Sequence, residues 1–403
     1  MQEFKKVVNC RVCGSVRLRK YLDLGSHSPL NSLSQSSKYP IEVVLCGDCA
    51  LSQLSIVINP KILYSGYTYH SSISQTFKSH CFKLANTLKD NFPMRENPLV
   101  IDIAANDGCC LEQFRDAGFE RFLAVEPSSN LAQECISKRI PCSNSFWSYK
   151  TARSYRDVAT QGASFIIAQN VLAHVDDLRD FIRGVCWSIE PDGVFVAEFP
   201  YLPNIIKYNQ FDTIYHEHLS YFLLEPLSRI FSEEGLPIFK VEKLPIHGGS
   251  LRIYASKHPH KLDNSVEDML IEEDEMMFYN FTSYKSFSDK VDTIKDKLKM
   301  LLECNYHAGK KTMGYGASAK GMSLINYCGI PKEWIHSIVD DTPDKQGKFT
   351  TDSNIPIVDF SHFEKEKPDF ILLLAWNFES ELREKTKHII ANYIVPIPDV
   401  RIA

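Results

Sequence analysis

The sequence of 403 residues lacks several features that would define its class at once. No apolar run reaches the roughly 18 residues that a membrane-spanning helix needs, so an integral membrane protein is excluded. The first residues, MQEFKKVVNC, carry charges with no apolar stretch behind them, so no secretory signal is expected. We therefore expect a cytoplasmic protein without a membrane partner.

Basic residues are also scarce. The 45 Lys and Arg against 50 Asp and Glu give a formal net charge of -5 at pH 7. A protein that binds nucleic acid normally has a basic excess, so no nucleic-acid partner is expected. Low-complexity tracts and short-period repeats are absent as well. The length suggests roughly two or three globular domains.

Cysteine is far below the density of a disulfide scaffold, with 12 residues in the chain. Cys10 and Cys13 form one Cys-x-x-Cys pair, and Cys46 and Cys49 form a second. Each pair places two thiolates on one tight turn, and two such turns complete a tetrahedral zinc site. Four thiolates close the shell, so the predicted zinc is structural. The other eight cysteines are expected to fill core space.

The apolar pattern divides the chain into three parts. Residues 1–90 lack long helical periodicity and contain both cysteine pairs. From Leu99, short apolar runs alternate with helix-like stretches, which is typical of a parallel sheet covered by helices. A second alternating block starts near Lys311. The sequence therefore predicts an α/β protein with a zinc-binding lobe (1–90), a central Rossmann-like domain (91–262) and a C-terminal Rossmann-like domain (263–403).

Two stretches depart from this alternation. Residues from about Ser265 to Lys310 have helical apolar spacing, with no proline and no glycine before Gly309, which predicts one long interdomain helix. Residues 200–222 are dense in Tyr, His and Asn and form an irregular stretch too long for a simple connection.

An acidic turn follows the first strand of the central domain. Asp102 and Asn106 belong to this strand and turn, and Glu126 ends the next strand, where α/β sheets bind ligands. A carboxylate there can accept both hydroxyls of a ribose. Because Ala104 and Ala105 stand where a dinucleotide fingerprint needs glycine, an S-adenosyl ligand fits better than NAD. A plain strand–turn–helix without a ligand is the alternative.

The irregular stretch contains four consecutive titratable residues, Tyr215-His216-Glu217-His218. We interpret His218 as a general base, Glu217 as the group that polarises or assists it, and Tyr215 as a hydrogen-bond donor to a developing oxyanion. A His-x-His metal site is the alternative, but the rest of such a metal shell is missing from the pattern.

Further polar residues follow other strands of the central domain. Asn170 and His174 come after the next long strand and would lie over the same crevice, although a lone histidine there is more often structural. The turn His247-Gly248-Gly249-Ser250 leads into another strand. Its glycine pair lets backbone come close to a ligand, and a simple hairpin turn is an equal alternative.

A third glycine-rich turn, Gly314–Gly321, follows a strand and opens a helix. Exposed amides at that helix start, together with Lys320, would bind a diphosphate. The turn also resembles a dinucleotide fingerprint, with Ala319 in place of the third glycine. An NAD-dependent nucleotide-sugar oxidoreductase, with Asp340 and Asp341 as ribose acids, is therefore the alternative function.

This combination resembles the sugar C-methyltransferases that act on nucleotide-linked deoxysugars. The resemblance covers nearly the whole chain, and the pairing of YHEH with HGGS is highly specific. It rests on the two cysteine pairs, the turn after Asp102, Asn170-Val171-Leu172-Ala173-His174, Glu198-Phe199-Pro200-Tyr201, Tyr215–His218, His247–Ser250, Gly314–Gly321 and Ala375-Trp376-Asn377-Phe378. It implies an S-adenosylmethionine domain in the centre and a nucleotide-sugar domain at the C-terminus.

The resemblance also implies roles for individual residues. The methyl donor would be held by Asp102, Ala104, Asn106, Glu126 and Asn170, although many members have glycine at the position of Ala104. The catalytic set would be Tyr69, His174, Tyr215, Glu217 and His218, with Tyr69 lining the sugar site. The substrate contacts would be His247, Gly248, Ser250, Tyr315 and Lys320.

The implied reaction is methylation of C-3 of a nucleotide-linked 4-keto-deoxysugar, with thymidine diphosphate as the expected carrier. The chemistry agrees with the residues, because a sugar carbon beside a keto group becomes a nucleophile by losing its α-proton. That step needs a base, here His218, and a donor to the enolate oxygen. The expected quaternary structure is a monomer or a weak homo-oligomer.

Overall fold

The computed structural model describes residues 3–30, 37–64, 67, 69–92, 94–158, 162–258, 260 and 263–403, without the side chains of 156–158 and 247. Within these residues the fold is α/β, as the alternating pattern predicts. None of the described helices is both long and apolar enough to cross a bilayer.

The N-terminal lobe is built from short antiparallel strands. Its elements are β1 (Phe4–Lys6), β2 (Leu18–His27), β3 (Tyr39–Cys46), β4 (Ser52–Leu54), β5 (Ile56–Ile58) and α1 (Pro60–Tyr64). Strands β2, β3 and β4 form one sheet, and β1 pairs with β5. In the first half of β3, Tyr39, Ile41 and Val43 are buried, while Pro40 and Glu42 between them are partly exposed. This alternation is what a strand with one buried face requires.

The central domain is a seven-stranded sheet with helices packed on both faces. Its strands are β6 (Leu99–Ile103), β7 (Arg121–Val125), β8 (Cys142–Ser143), β9 (Ala163–Gln169), β10 (Ile189–Pro200), β12 (Ile238–Leu244) and β13 (Ser250–Ala255). Strand β11 (Ser220–Tyr221) lies outside this sheet and pairs with β4 of the N-terminal lobe. Its helices are α2 (Gln75–Asn91), α3 (Cys109–Asp116), α4 (Ser129–Ser137), α5 (Tyr149–Val158), α6 (Leu178–Ser188), α7 (Leu202–Lys207) and α8 (Leu224–Glu233). Val100 and Ile101 of β6 point into two different apolar clusters, which explains the continuous apolar run in the sequence.

The order of the strands creates a ligand-binding edge. The sheet runs β12-β13-β10-β9-β6-β7-β8, so the chain leaves β6 in one direction toward β7 and returns on its other side as β9. The strands from β8 to β10 are parallel, and only β13 pairs antiparallel with its neighbours. The reversal between β6 and β9 opens a crevice at the carboxyl ends of the strands.

The C-terminal domain is a second, smaller α/β unit. It is preceded by α9 (Ser265–Glu275), which packs on the central domain. Its own elements are α10 (Phe281–His307), β14 (Thr312–Tyr315), α11 (Ala319–Cys328), β15 (Ile338–Val339), β16 (Ile357–Val358), α12 (Ser361–Glu366), β17 (Phe370–Leu373), α13 (Glu379–Lys385), β18 (Asn392–Val395) and β19 (Arg401–Ile402). The sheet order is β16-β15-β14-β17-β18-β19, and all neighbours are parallel except β19.

The prediction of a single long helix before this domain is wrong. The segment contains two helices, α9 and α10, separated at residues 276–280. Met277 has a left-handed backbone with φ +56°, and the Asn280 side chain accepts a hydrogen bond from Thr282 N as the cap of α10. The break buries Phe278, which is 4% exposed. Neither proline nor glycine is needed for it, because Asn caps a helix start by itself.

The eight cysteines outside the predicted zinc site differ in burial. Cys81, Cys109, Cys110, Cys135 and Cys328 are buried, as expected. Cys142 and Cys186 are only partly covered, and Cys304 is exposed on α10, which corrects the expectation for that residue.

Candidate active site and zinc site

Two buried carboxylates define the first part of the crevice. Asp102 in β6 is 3% exposed and Glu126 after β7 is 4% exposed. Burial raises the pKa of Asp102 well above its usual range, and Glu126 adds to this effect. Among the described residues, no lysine or arginine contributes to the pKa of either group. A ligand with positive charge and hydroxyl groups fits this pair, as S-adenosylmethionine does, whereas a pyrophosphate would be repelled.

Backbone amides hold Glu126 in place. Its two carboxylate oxygens accept hydrogen bonds from Asn106 N at 2.9 Å and Ser128 N at 2.8 Å. A carboxylate oxygen accepts more than one hydrogen bond, so capacity for ribose hydroxyls remains. Ala104 and Asn106 have left-handed backbones, with φ +58° and +53°. The position of Ala104 therefore has the geometry that glycine adopts without strain.

The segment after α1 lies against this turn. Asn106 Nδ2 donates to Tyr69 O and its Oδ1 accepts from Ser71 N, both at 3.0 Å, so the Asn106 side chain is committed to holding this segment. Tyr64, at the end of α1, accepts from Ser128 Oγ through its carbonyl oxygen at 3.0 Å. The segment therefore connects the carboxylate pair with the residues described next.

Tyr215 and His218 form a hydrogen-bonded pair. His218 Nδ1 lies 2.7 Å from the carbonyl oxygen of Thr213, which only accepts, so Nδ1 carries the proton. His218 Nε2 lies 3.0 Å from Tyr215 Oη and, in the neutral ring, accepts from that hydroxyl. Burial raises the pKa of Tyr215 well above its usual range, and Glu217, Asp212 and Tyr69 add to it, so the hydroxyl stays protonated.

His174 and two tyrosines surround this pair. The His174 ring lies edge-on to the His218 ring with centroids 4.9 Å apart, and its Nδ1 is 2.9 Å from Tyr64 Oη. Burial lowers the pKa of His174 to about 4, so it is neutral near pH 7. Tyr67 Oη donates to Glu217 Oε2 at 3.2 Å. The structure thus brings His174, Glu217 and the Tyr215–His218 pair together.

Tyr69, by contrast, has a side chain that is 46% exposed. It adds to the raised pKa of Tyr215. Sequence reasoning missed Tyr64, Tyr67 and Thr213. The dense tyrosines of residues 64–69 were a visible signal, but nothing in the sequence distinguishes the tyrosine that reaches Glu217 from the one that stays at the surface.

His216 points away from His218. Its Nε2 lies 2.9 Å from the carbonyl oxygen of Tyr39 in β3, and it is 2% exposed. Burial lowers its pKa to about 4. The two histidines therefore do not form a His-x-His metal site, and within the described residues the only cluster with metal-ligand geometry is made of cysteines.

Asn170 and the HGGS turn both lie at the edge of the central sheet where the parallel strands end. Asn170 follows β9 with φ +54°, and its N donates to Glu198 O at 2.8 Å. The HGGS turn closes the β12–β13 hairpin, which matches the simpler interpretation of this motif. Gly249 has φ +111°, a backbone conformation that residues with a Cβ rarely adopt, and a Cβ there would also crowd the Asn204 side chain of α7.

Of the HGGS residues predicted to contact substrate, Ser250 is 1% exposed and its hydroxyl donates to Ile246 O at 3.2 Å. Gly248 O accepts from Gln210 Nε2 at 2.7 Å. The side chain of His247 lies outside the described part of the chain. The turn is therefore joined to residues 204–210 of the irregular stretch.

The glycine-rich turn Gly314–Gly321 is bonded to and packed against other residues of the C-terminal domain. Ala317 N donates to Asp340 Oδ2 at 2.7 Å, and Thr342 N donates to Asp340 Oδ1 at 2.9 Å. A Cβ on Gly321 would lie 2.7 Å from Leu374 Cβ, so this glycine allows α11 to pack on the sheet. Asp341 accepts from Lys385 Nζ at 3.1 Å. Both acids that the NAD alternative assigns to the ribose thus accept hydrogen bonds from protein groups.

Lys320 and Tyr315 have different partners. Tyr315 is 1% exposed, packs on Phe363 and donates to Asp341, so its ring and hydroxyl are engaged within the C-terminal domain. Lys320 lies 5.5 Å from the Trp376 ring. Its pKa is lowered by burial, and Asp212 opposes that shift. Because Trp376 also bonds Asp212, Lys320 lies near the irregular stretch of residues 200–222.

Asp212 joins the central and C-terminal domains. It is 0% exposed, and its Oδ2 accepts a hydrogen bond from Trp376 Nε1 at 2.6 Å. Sequence reasoning noted the Ala375–Phe378 motif without assigning it a contact. The partner could not be identified because 164 residues separate the two side chains in the chain.

The four cysteines of the N-terminal lobe meet at one point. Their Sγ atoms all lie within 4.8 Å of one another, with 3.5 Å between Cys10 and Cys49 and between Cys13 and Cys46. Tetrahedral zinc with Zn–S bonds of about 2.3 Å separates its sulfurs by about 3.8 Å, so the donor set fits. Asp48 N lies 3.4 Å from Cys46 Sγ, an amide–thiolate hydrogen bond. These cysteines form a closed structural zinc site.

Three family models match successive parts of the chain. Residues 10–64 match a model described as a zinc binding domain, residues 78–241 a methyltransferase domain, and residues 245–398 the C-methyltransferase C-terminal domain. The C-methyltransferase NovU of Streptomyces niveus is 32% identical over 418 residues, which cover 100% of this chain and 98% of NovU. The chain belongs to the S-adenosylmethionine-dependent C-methyltransferase family.

Solved methyltransferase structures overlap with part of the chain. An S-adenosylmethionine-dependent methyltransferase from Archaeoglobus fulgidus has 15% identity and a TM-score of 0.36, covering 44% of this chain and 93% of its own. Magnesium protoporphyrin IX methyltransferase from Synechocystis PCC 6803 has 13% identity and a TM-score of 0.34, covering 45% and 79%. The family assignment rests on the full-length relative. The NAD-dependent oxidoreductase that the sequence left open is not supported.

Proposed function

We propose that this C-methyltransferase methylates C-3 of a 4-keto-deoxysugar linked to thymidine diphosphate, in the cytoplasm. The observation that carries the proposal is the Tyr215–His218 pair with His218 Nδ1 held by Thr213. Enolisation of a ketone needs a base and a donor to the developing oxyanion, and this pair contains one of each.

The single hydroxyl proton of Tyr215 links the two roles. In the present arrangement Tyr215 donates to His218 Nε2. When a substrate ketone takes this hydrogen bond, the Nε2 lone pair becomes free to accept the α-proton of the neighbouring carbon. Thr213 keeps the second ring proton on Nδ1, so only Nε2 can act as the base. His174, neutral near pH 7, lines the same space.

S-adenosylmethionine supplies an electrophilic methyl group on a sulfonium. Asp102 and Glu126 would hold its charged and hydroxyl groups, and Ala104, Asn106 and Asn170 would shape the turns around it. Tyr64 connects the carboxylate pair with the Tyr215–His218 pair, because it bonds Ser128 beside Glu126 and also His174, which lies against His218. This proximity supports in-line transfer by positioning of the two reactants.

Lys320 is the residue that we assign to the diphosphate. It lies at the first turn of α11, where helix amides favour an anion, and its Nζ is 5.5 Å from the Trp376 ring. Trp376 bonds Asp212 in the irregular stretch of residues 200–222, here named the catalytic stretch because it contains Tyr215, Glu217 and His218. Tyr69, Glu217 and the HGGS turn would border the sugar. A monomer or weak homo-oligomer without a nucleic-acid partner remains the expected quaternary state.

The His218→Ala variant tests the base. We expect kcat to fall by roughly 10²–10⁴ while the affinity for S-adenosylmethionine, measured by calorimetry, stays within about threefold. His216→Gln is the matched control from the same motif, since His216 bonds Tyr39 rather than the reacting space, and it should retain kcat within about tenfold. Full activity of His218→Ala would remove His218 from the mechanism.

The substrate is tested by mass spectrometry. The enzyme is incubated with S-adenosylmethionine and a panel of thymidine- and guanosine-diphosphate 4-keto sugars. We expect one thymidine-linked sugar to gain one methyl group, with nuclear magnetic resonance locating it on C-3. A methyl group on another carbon, or on none of the sugars, would contradict the substrate assignment.

A further inference from the structure

Arg11 lies between the first two cysteines of the zinc site, yet its side chain is only 3% exposed. Its Nη1 donates to the carbonyl oxygen of Leu219 at 3.0 Å, and its Nε donates to Asp176 Oδ1 at 3.3 Å. Leu219 directly follows His218, and Asp176 is two residues after His174. One side chain of the zinc turn therefore reaches the chain beside both active-site histidines.

Leu219 is a junction of the N-terminal lobe and the central domain. Its N donates to Ala173 O at 2.7 Å, next to His174, and its carbonyl oxygen accepts from Leu54 N at 3.0 Å as well as from Arg11. Immediately after it, β11 pairs with β4 of the lobe. The catalytic stretch thus runs from His218 directly into the sheet of the zinc-binding lobe.

The backbone amide of Arg11 is bonded to strand β4. Its N donates to Gln53 Oε1 at 3.0 Å, and Gln53 Nε2 donates to Asn9 O at 3.1 Å. These bonds attach the zinc turn to β4, and Arg11 Nη1 also lies 3.4 Å from Leu54 O. A buried guanidinium is unfavourable unless its donors are bonded; Nε and Nη1 of Arg11 are bonded, whereas its Nη2 has no hydrogen-bond partner among the described residues. An apolar side chain would fill the same space but would leave the Leu219 carbonyl without this donor.

We propose that Arg11 is a positioning residue for methyl transfer: the zinc turn holds its guanidinium against the Leu219 carbonyl and thereby fixes His218 relative to His174. The zinc site then serves the reaction through the geometry of the catalytic stretch in addition to folding the lobe. The inference concerns the C-methyltransferase activity of the chain and does not depend on which sugar is the substrate.

The test compares Arg11→Met and Arg11→Lys with Arg17→Met in the zinc-loaded, full-length enzyme. Arg17 belongs to the same lobe, but its side chain is 68% exposed and pairs with Asp48. We expect Arg11→Met to keep one zinc per chain and its affinity for S-adenosylmethionine, while kcat falls by roughly 10–100-fold with little change in KM. Arg11→Lys, which retains one donor, should recover part of kcat, and Arg17→Met should match the wild type.

Amide hydrogen exchange supplies a readout that needs no sugar. In Arg11→Met, exchange should accelerate at least about tenfold at residues 215–221, while peptides containing the four cysteines stay protected. Unchanged exchange and kcat would overturn the proposal. Loss of zinc or of folding in both Arg11 variants would also overturn it, because Arg11 would then serve the lobe alone. If the wild type methylates no tested sugar, the substrate assignment fails and the exchange result still decides the role of Arg11.

Discussion

A carbonyl oxygen decides the role of each histidine in the YHEH motif. His218 Nδ1 meets Thr213 O, which leaves Nε2 directed at Tyr215, whereas His216 Nε2 meets Tyr39 O in the zinc-binding lobe. The motif identifies the cluster, but the two histidines are chemically identical in the sequence. Only the position of the two backbone carbonyls separates a reactive histidine from a structural one.

The buried His216 should make the protein less stable in mild acid. Its pKa is lowered from 6.5 to about 4, so below about pH 6.5 the unfolded chain binds a proton that the folded chain does not. The free energy of unfolding therefore falls as the pH drops from about 6.5 to about 4, by about 3 kcal/mol for this group.

Urea unfolding at pH 7, 5 and 4 measures this effect. His216→Gln keeps an N–H donor for Tyr39 O but does not titrate, so it should lose about 3 kcal/mol less stability across the range than the wild type. His258→Gln, whose parent side chain is 70% exposed, is the control and should follow the wild-type curve. Parallel curves for His216→Gln and the wild type would contradict the expectation.

At the scale of elements, turns after strands carry most of the site. The β6–α3 turn joins Asp102 to two left-handed residues and lies beside Glu126 after β7, and the β14–α11 turn places Lys320 at a helix start. The strand–turn–helix patterns predict both turns. They do not predict that Asp340 takes the amide of Ala317, because this contact depends on how β15 lies beside β14.

Ala104→Gly should stabilise the β6–α3 turn. Ala104 has φ +58°, where a Cβ is unfavourable by about 1 kcal/mol and glycine is not. We expect the free energy of unfolding to rise by up to about 1 kcal/mol in chemical denaturation. Ala105→Gly is the matched control: Ala105 is buried without a left-handed backbone, so this change should destabilise by about 1 kcal/mol. Equal effects of the two substitutions would refute the strain at position 104.

At the scale of the whole molecule, the catalytic stretch is held by all three parts of the chain. The zinc-binding lobe contributes β4 and Arg11, the central sheet contributes Ala173, and the C-terminal domain contributes Trp376. The boundaries predicted near residues 90 and 262 remain predictions. Helix α2, which ends at Asn91, packs in the same apolar cluster as strand β6.

Trp376→Phe should uncouple the C-terminal domain from this stretch. It removes the donor to Asp212, whose carboxylate is fully buried, and we expect a loss of about 1–3 kcal/mol in the free energy of unfolding. A double-mutant cycle with Asp212→Asn should give a coupling energy of at least about 1 kcal/mol. Additive effects in the cycle would mean that this hydrogen bond does not connect the domains energetically.

The sequence by itself determined the closed zinc site, the two α/β blocks and the family, because each depends on residue types at short, fixed spacings. The tertiary structure alone decided the two-helix break before the C-terminal domain, the different partners of Tyr315 and Lys320, and the partners of both YHEH histidines. These depend on contacts between residues far apart in the chain, such as Arg11 with Leu219. Local patterns set which turn or strand forms, but the packing of three sheets around one stretch sets which side chains face the reaction.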